Sequence, residues 1–367
     1  MKTDAKILLI AGGGTGGHVF PALAVAREWL QRGTEGGGGR GRRVVFVGTA
    51  RGLEAKLVPQ AGLPLEMIRV AGLKGIGGMK LLCNLAMLPA GLCDSERVLC
   101  KYRFNAAFGT GGYASGPMML LARIHSVPGV IFEPNVEPGF TNRLLARMAT
   151  RVACGFEETS RRLGAKGVVT GIPVRREFFT AGRREHHDPF RLLITGGSRG
   201  ASPINRAITD ALDLLAPRKK QLFIVHQTGE GDYNAVREAY ARRNFRAEVI
   251  PFIENMAEEF AQADLIVCRS GAITAAEVTA AGRAAIFIPF GAATDAHQTR
   301  NAEVMQAAGA ARLLPQSELS PRRLTDEIFS LLDHPRRIIE MEERARCLAR
   351  PRAVETIVDV LDEVARP

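Results

Sequence analysis

Short apolar segments alternate with longer amphipathic segments along most of the chain. The apolar segments predict buried strands, and the stretches between them predict helices. This alternation is typical of parallel β-sheets whose strands are joined by crossover helices, so it predicts the α/β class. The predicted strands cover residues 44–47, 106–108, 130–132, 168–170, 222–226, 247–250, 265–268 and 285–288.

One apolar segment that runs into a pair of glycines occurs twice. Residues 7–13 read ILLIAGG, and half a chain length later residues 191–197 read RLLITGG. A helix-like stretch follows each copy, so the repeat predicts two similar α/β domains in tandem. The polar residues 173–189 lack apolar periodicity and predict a linker, and residues 353–365 predict an amphipathic C-terminal helix.

Composition and charge narrow the class of protein. Of the 367 residues, 46% are hydrophobic and 24% are charged, which indicates a globular chain and not a disordered or fibrous one. The formal net charge of +11 predicts an anionic partner, either a nucleic acid, a phosphorylated substrate or an acidic membrane surface. The six cysteines show no metal or redox spacing, and no apolar stretch approaches the roughly 20 residues of a membrane span. We therefore expect a cytoplasmic protein with reduced thiols, no signal peptide and no transmembrane segment.

The first glycine-rich segment predicts a loop that binds phosphate. Gly12, Gly14 and Gly17 have the G-x-G-x-x-G spacing between a strand and a helix, where backbone amides and the helix dipole face a diphosphate. A nicotinamide site also needs an acidic residue at the end of the second strand, and residues 46–49 contain none. His18 begins the helix, and an imidazole that titrates near neutral pH is suited to accept a proton. The alternative is a histidine that only caps or packs against the helix.

The second half of the chain contains another candidate anion site. Residues 265–268 predict a strand, and residues 272–281 predict a helix closed by Gly282. The first-turn amides of that helix would face a pyrophosphate, and Glu277 one turn later would accept hydrogen bonds from ribose hydroxyls. The alternative for Glu277 is a solvated helix residue.

The next helix predicts contacts to a sugar. We expect Asp295 to cap this helix, and His297 and Asn301 share one face of it, with Gln298 beside them. Such neutral polar groups suit sugar hydroxyls. The sequence contains no Asp-x-Asp triplet, so we expect amides, dipoles and arginines, and not a metal, to meet the diphosphate charge.

Five segments together resemble the MurG family of bacterial glycosyltransferases, and they occur in that family's order. They are residues 12–18 (GGGTGGH), 109–117 (GTGGYASGP), 196–201 (GGSRGA), 269–272 (RSGA) and 295–302 (DAHQTRNA). The resemblance implies the GT-B architecture, in which two Rossmann-like domains face a cleft. Residues 1–173 would form the acceptor-side and membrane-facing domain, residues 174–345 the UDP-sugar domain, and residues 346–367 a C-terminal helix that returns to the first domain.

The resemblance also implies an activity that needs no cofactor and no metal. N-acetylglucosamine would move, with inversion, from UDP-N-acetylglucosamine to the 4-hydroxyl of the muramoyl sugar of lipid I, the undecaprenyl-diphosphate-linked muramoyl-pentapeptide. The product would be lipid II, a precursor of peptidoglycan. The enzyme would lie peripherally on the cytoplasmic face of the inner membrane.

Site residues follow from the matching motifs. His18 would be catalytic, and Gly14, Tyr113 and Ser115 would lie on the acceptor side. Ile253 would meet uracil through its backbone, and Ser198 would meet the diphosphate. The donor site as a whole would comprise Thr15, Gly16, Gly17, Asn135, Arg175, Ser198, Ile253, Ala272, Ile273, Thr274, Ala275, Ala276, Glu277, Gln298 and Asn301.

Three positions depart from the family pattern, and two other functions compete with the one it implies. Pro134, Ile172 and Arg199 stand where glutamine, asparagine and glutamine are usual, which leaves contacts near the linker and residues 133–135 open. One competitor is a GT-B transferase with a different nucleotide-sugar donor. The other is a nucleic-acid-binding protein, which the sequence disfavours because it has no basic recognition helix and only 6% aromatic residues.

Residues 73–82 predict a contact with the membrane surface. Leu73, Ile76 and Met79 would enter the headgroup boundary, while Lys74 and Lys80 would meet anionic lipid. The apolar residues 81–88, which overlap the end of this segment, are better explained as a buried core helix.

Overall fold

The computed structural model describes residues 5–35, 41–70, 87–182, 185, 188–291 and 296–367. The chain divides into two compact units. The first unit comprises Met1–Pro173 together with Arg352–Pro367, and the second comprises Val174–Pro351. Residues 73–82, which carry the predicted membrane contact, and Asp295, the predicted helix cap, lie outside the described residues.

The first unit is built on a parallel sheet of seven strands in the order β3-β2-β1-β4-β5-β6-β7. Helices connect successive strands, as parallel pairing requires. The strands are β1 (Lys6–Gly12), β2 (Arg42–Gly48), β3 (Leu65–Met67), β4 (Ala106–Gly111), β5 (Gly129–Glu133), β6 (Arg151–Cys154) and β7 (Gly167–Val169). The helices are α1 (Gly16–Glu35), α2 (Glu54–Gln60), α3 (Leu88–Lys101), α4 (Ser115–Ile124), α5 (Phe140–Met148) and α6 (Glu157–Leu163), with a 3₁₀ turn at Gly164–Lys166.

The second unit repeats this plan with six parallel strands in the order β10-β9-β8-β11-β12-β13. Its strands are β8 (Phe190–Thr195), β9 (Leu222–Gln227), β10 (Ala247–Ile250), β11 (Leu265–Cys268), β12 (Ala285–Phe287) and β13 (Arg312–Leu313). Its helices are α7 (Glu177–Thr180), α8 (Ser202–Leu215), α9 (Tyr233–Arg242), α10 (Met256–Gln262), α11 (Ala272–Ala281), α12 (Ala296–Ala307), α13 (Pro321–Leu332) and α14 (Pro335–Leu348), with 3₁₀ turns at Ala216–Gln221 and Gln316–Glu318.

The predicted α/β class with two Rossmann-like domains is confirmed. The two copies of the sequence repeat form β1 and β8, and each is the third strand of its sheet. In both sheets the first strand lies between the second and fourth strands along the chain, which is the Rossmann order. The strand pattern missed β3, β6 and β13, which are two to four residues long.

The boundary between the two units falls at the start of the predicted linker, and a short helix packs within the rest of that segment. Helix α7 lies inside residues 173–189, and its Phe178 is only 2% exposed. The Phe178 ring meets the Phe260 ring of α10 edge to face, with 5.3 Å between ring centroids. One aromatic side chain among charged residues is enough to anchor this segment, although it creates no periodicity.

The C-terminal helix α15 (Ala353–Val364) belongs to the first unit. Arg32 of α1 donates to Asp359 at 2.7 Å and to the Glu355 carbonyl at 3.0 Å, and Arg42 pairs with Asp362 at 2.8 Å. The second unit extends to Pro351, beyond the expected end at residue 345, because α14 continues to Leu348. Within the described residues no helix is both long enough and apolar enough to cross a membrane.

Candidate active site

The loop after β1 presents backbone amides at the carboxyl end of the first sheet. Gly14 has a φ of +88°, which favours glycine, and the space where its Cβ would lie is open. Thr15 is exposed, and its carbonyl accepts from the amides of His18 and Val19, both at 3.1 Å. The amides of Gly16 and Gly17 belong to the first turn of α1, where N–H groups have no helical partner. This is the geometry of an anion site.

His18 is held in one tautomer by the loop that precedes it. Its Nδ1 lies 3.0 Å from the Gly13 carbonyl oxygen, so Nδ1 carries the proton and donates it. Nε2 is therefore the basic nitrogen. Burial lowers the pKa of His18, while the Gly13 carbonyl and the carboxylates of Glu133 and Glu54 act in the opposite direction. The ring is neutral at pH 7 and can accept a proton.

A second glycine loop, after β4, packs against the first. Gly111 and Gly112 have φ values of +100° and +78°. A Cβ on Gly111 would lie 3.0 Å from Nε2 of His18, and one on Gly112 would lie 2.3 Å from the Gly13 oxygen. Glycine is thus required at both positions. Tyr113 follows this loop and is 54% exposed.

Ser115 does not have the exposure that was expected of an acceptor-side residue. It is fully buried, and its hydroxyl donates to the Ala11 carbonyl at 2.6 Å and accepts from the Gly111 amide at 3.0 Å. Ser115 therefore ties the two glycine loops together beneath the site. The sequence of a glycine-rich motif does not indicate whether its serine side chain is exposed at the site or buried beneath it.

Asn135, which was predicted to contact the nucleotide-sugar donor, is oriented by a buried carboxylate. Glu133, at the end of β5, accepts from the Asn135 amide at 2.9 Å and from Asn135 Nδ2 at 3.1 Å. It also accepts from the Gly139 amide at 3.0 Å and from Asn142 Nδ2 at 2.9 Å. Sequence reasoning treated Glu133 only as a neighbour of Asn135 and missed its role in shaping this loop.

In the second unit, the N-terminus of α11 is the segment where an anion site was predicted. Gly271 precedes the helix, and in the described part of the chain no side chain caps it. The Ala275 amide already donates to the Gly271 carbonyl at 2.9 Å, so it begins the helical ladder. The amides of Ala272, Ile273 and Thr274 remain as the donors for a diphosphate.

Glu277 lies one turn further along α11, and the charge of Arg175 acts on its carboxyl group. Burial raises the pKa of Glu277 to about 7, and the Arg175 charge acts in the opposite direction. Arg175 is exposed and its guanidinium stacks over the Phe178 ring, 5.1 Å from the centroid. Ala276, between the first-turn amides and Glu277, is half-buried, whereas Ala275 is buried.

A buried glutamine joins two loops that were predicted to hold the nucleotide. Gln227, at the end of β9, donates to the Gly197 carbonyl at 2.8 Å and accepts from the Ile253 amide at 2.8 Å. The Ile253 N–H is therefore engaged, which leaves the carbonyl oxygen as its backbone contact for a base. Ser198, next to Gly197, is exposed. Gln227 was not predicted, because nothing in the sequence distinguishes it from other strand residues.

Helix α12 supplies one predicted sugar contact and one residue that supports it. Gln298 is half-buried, and its side-chain oxygen accepts from the Phe290 amide at 3.0 Å. Asn301 is instead completely buried and donates to the Ser270 carbonyl at 3.2 Å. Its expected contact with a sugar is therefore replaced by a contact that holds the turn before α11.

Each unit brings its predicted residues to one edge of its own sheet. The loops after β1 and β4 are adjacent in the first unit, and the loops after β8 and β11 are adjacent in the second. These pairs of strands are the points where strand order reverses, and ligands of open α/β sheets bind there.

Comparison with family models identifies both halves of the chain. Residues 8–154 match the glycosyltransferase family 28 N-terminal domain, and residues 191–357 match the glycosyltransferase family 28 C-terminal domain.

Curated proteins and solved structures resemble the whole chain. A Myxococcus xanthus protein named UDP-N-acetylglucosamine--N-acetylmuramyl-(pentapeptide) pyrophosphoryl-undecaprenol N-acetylglucosamine transferase is 44% identical, over 96% of this chain and 91% of its own length. The Solibacter usitatus protein of the same name is 41% identical, over 100% and 98%. The crystal structure of Acinetobacter baumannii MurG matches with a TM-score of 0.80 and 34% identity, covering 98% of this chain and 99% of that one.

Proposed function

The chain belongs to glycosyltransferase family 28, and from this membership we infer that it transfers N-acetylglucosamine from UDP-N-acetylglucosamine to lipid I, forming lipid II. The relatives that carry this activity in their name align over nearly the full length of the chain. The structural observation that carries the proposal is the α11 N-terminus. Three first-turn amides and a carboxyl one turn later suit a diphosphate and a ribose, which are both parts of a UDP-sugar donor.

We assign the UDP part of the donor to the second unit, and the contacts of Thr15, Gly16, Gly17 and Asn135 with the donor stay predictions. The amides of Ala272, Ile273 and Thr274 would face the diphosphate, with Ser198 contributing its hydroxyl. Glu277 would accept from the ribose hydroxyls, and Gln298 Nε2 would donate to the sugar. As the glycosidic bond to the diphosphate breaks, charge develops on the departing phosphate, and fixed amide dipoles stabilise that charge more than they stabilise the bound substrate.

We assign the proton transfer to the first unit. The 4-hydroxyl of the muramoyl sugar attacks the anomeric carbon, and Nε2 of His18 takes its proton as the new bond forms. Attack on the face opposite to the departing UDP inverts the configuration. The exposed Tyr113 and the backbone of Gly14, where the space for a Cβ is open, would contact the acceptor.

A transfer assay tests the proposed activity and the proposed absence of a metal together. With a lipid I analogue, we expect product from UDP-N-acetylglucosamine at a kcat/KM at least about 100-fold above that for UDP-glucose, because loss of the acetamido group leaves polar site groups unpaired. We expect the rate to be unchanged in excess EDTA. Equal use of several donors would support the competing transferase, and loss of transfer in EDTA restored by Mg²⁺ would contradict leaving-group stabilisation by amides.

We propose that the protein associates peripherally with the anionic cytoplasmic face of the inner membrane. Its undecaprenyl acceptor cannot leave the bilayer, and the net charge of +11 favours anionic lipid. Exposed apolar side chains on two helices of the first unit that pack on each other support this proposal: Leu120 and Ile124 on α4, and Phe140 and Leu144 on α5. Exposed arginines at positions 123, 143 and 147 lie among them.

Co-sedimentation with anionic vesicles tests the membrane proposal. The Ile124→Glu variant and the Ile76→Glu, Met79→Glu variant should each bind several-fold more weakly than the wild type, because a carboxylate opposes insertion next to anionic lipid. Ile339, 44% exposed on α14 of the second unit, provides the matched control, and Ile339→Glu should bind as the wild type does. Equal binding by all four proteins would place the membrane contact elsewhere.

A further inference from the structure

A buried carboxylate lies behind the first glycine loop. Glu54, the first residue of α2, is 1% exposed. Its Oε2 accepts from the Gly14 amide at 2.7 Å, and its Oε1 accepts from both the amide and the hydroxyl of Thr49 at 2.9 Å. A buried charge is stable only when it is paired or hydrogen-bonded in this way, so Glu54 occupies a site built for it.

Three glycines make room for this carboxylate. A Cβ on Gly13 would lie 2.2 Å from the Glu54 carboxyl, one on Gly52 would lie 2.0 Å from Oε2, and one on Gly48 would lie 2.4 Å from Cγ. Backbone therefore approaches the Glu54 side chain from β2, from the turn before α2 and from the phosphate-type loop. This enclosure fixes the position of the carboxylate relative to Gly13 and Gly14.

One peptide group connects Glu54 to His18. The N–H that Glu54 accepts belongs to Gly14, and the carbonyl that accepts from His18 Nδ1 at 3.0 Å belongs to Gly13. These two groups are the two ends of the same planar peptide, and in a trans peptide they point in opposite directions. A carboxylate that holds the N–H also fixes and polarises the carbonyl, which then becomes a better acceptor for Nδ1–H.

We propose that Glu54 is a positioning residue for His18, acting through the Gly13–Gly14 peptide. It holds the imidazole with the proton on Nδ1, so that Nε2 is the bare nitrogen that faces the acceptor. This inference rests on the proposed role of His18 as base. The charged groups that act on His18 are Glu133 at the end of β5 and Glu54 itself, and both raise its pKa against the effect of burial.

The Glu54→Gln variant tests this role. Its amide group places an N–H donor against either Gly14 or Thr49, so the peptide loses its fixed orientation. We expect kcat to fall about 10- to 100-fold, the scale of a misplaced or wrongly tautomerised base, with the donor Kd unchanged. The acid limb of the pH–rate profile should move to lower pH, because a charge that raises the pKa of His18 is gone.

Nitrogen-15 NMR of the His18 ring in the substrate-free protein shows which ring nitrogen carries the proton. The wild type should show the proton on Nδ1, and Glu54→Gln should show a mixture. Glu157→Gln is the matched control, because Glu157 is a half-exposed glutamate on α6 of the same unit, and it should match the wild type in every measurement. A Glu54→Gln variant that keeps the wild-type tautomer and acid limb would overturn the proposal, even if its kcat falls.

A second variant covers the case in which Glu54→Gln does not fold. Thr49→Val removes one of the three hydrogen bonds to Glu54 and keeps its charge, so kcat should fall a few-fold and the donor Kd should not change. An unchanged kcat would overturn the proposal. Failure of the underlying function is distinguishable, because it would appear as a wild type without transfer or as a His18→Ala variant with full turnover.

Discussion

Turnover of a His18→Ala variant should fall by about 10²- to 10⁴-fold, the usual cost of losing a general base. The neutral ring, with its proton on Nδ1, has Nε2 available to accept the proton of the attacking hydroxyl. Nothing in the donor assignment involves this ring, since the diphosphate amides and Glu277 belong to the second unit. Affinity for UDP should therefore stay within about twofold of the wild type. Steady-state kinetics and calorimetry with UDP measure the two quantities separately.

His125 provides the control for this prediction. It is an exposed histidine in the same unit, and its Nε2 lies 2.9 Å from Glu96. A His125→Ala variant should retain the wild-type turnover, because an exposed pair of this kind contributes little. Retention of more than half of the turnover by His18→Ala would show that another group takes the proton.

The fold was predictable because its signals are local. The apolar run that ends in glycines at β1 and β8 identifies the first strand of each sheet, and the strands that follow are buried on both faces, so they read as continuous apolar segments. Helix α11 was predicted with its exact bounds, because Gly282, with φ of +62°, ends it as a left-handed glycine does. A two-residue strand such as β13 has no such signal.

The candidate site was predictable only where a backbone motif defines it. Glycine spacing predicted the first candidate anion site, and the strand, turn and helix over residues 265–281 predicted the second. Neither pattern showed which polar side chains lie beneath these loops and hold them in place. Ser115 and Asn301 were expected to face a substrate, and both are buried and hold turns in place. Glu54 and Gln227 were missed for the converse reason. Whether a polar residue is enclosed depends on contacts that are distant in sequence, such as the 40 positions between Gly14 and Glu54.

The affinity for UDP-N-acetylglucosamine should depend strongly on pH, because it depends on the ionisation of Glu277. Burial raises the pKa of the free carboxyl to about 7, whereas ribose hydroxyls donate to the ionised form and stabilise it. Binding of UDP-N-acetylglucosamine therefore lowers that pKa and releases a proton. The affinity should be constant above about pH 8 and should fall towards tenfold per pH unit below about pH 7. The diphosphate of this donor is a diester and does not titrate in that range.

The Glu277→Gln variant should bind UDP-N-acetylglucosamine about 10- to 150-fold more weakly at pH 8, which corresponds to roughly 1.5–3 kcal/mol for charge-assisted hydrogen bonds. Because glutamine does not titrate, its affinity should be flat between pH 6 and pH 8, so the two proteins should converge as the pH falls. Calorimetry in buffers of different ionisation enthalpy also counts the proton that the wild type releases. Glu238, 63% exposed on α9 of the same unit, is the matched control, and Glu238→Gln should follow the wild-type curve. If Glu277→Gln binds as tightly as the wild type at pH 8, Glu277 does not hold the ribose, and the donor must occupy α11 in another orientation.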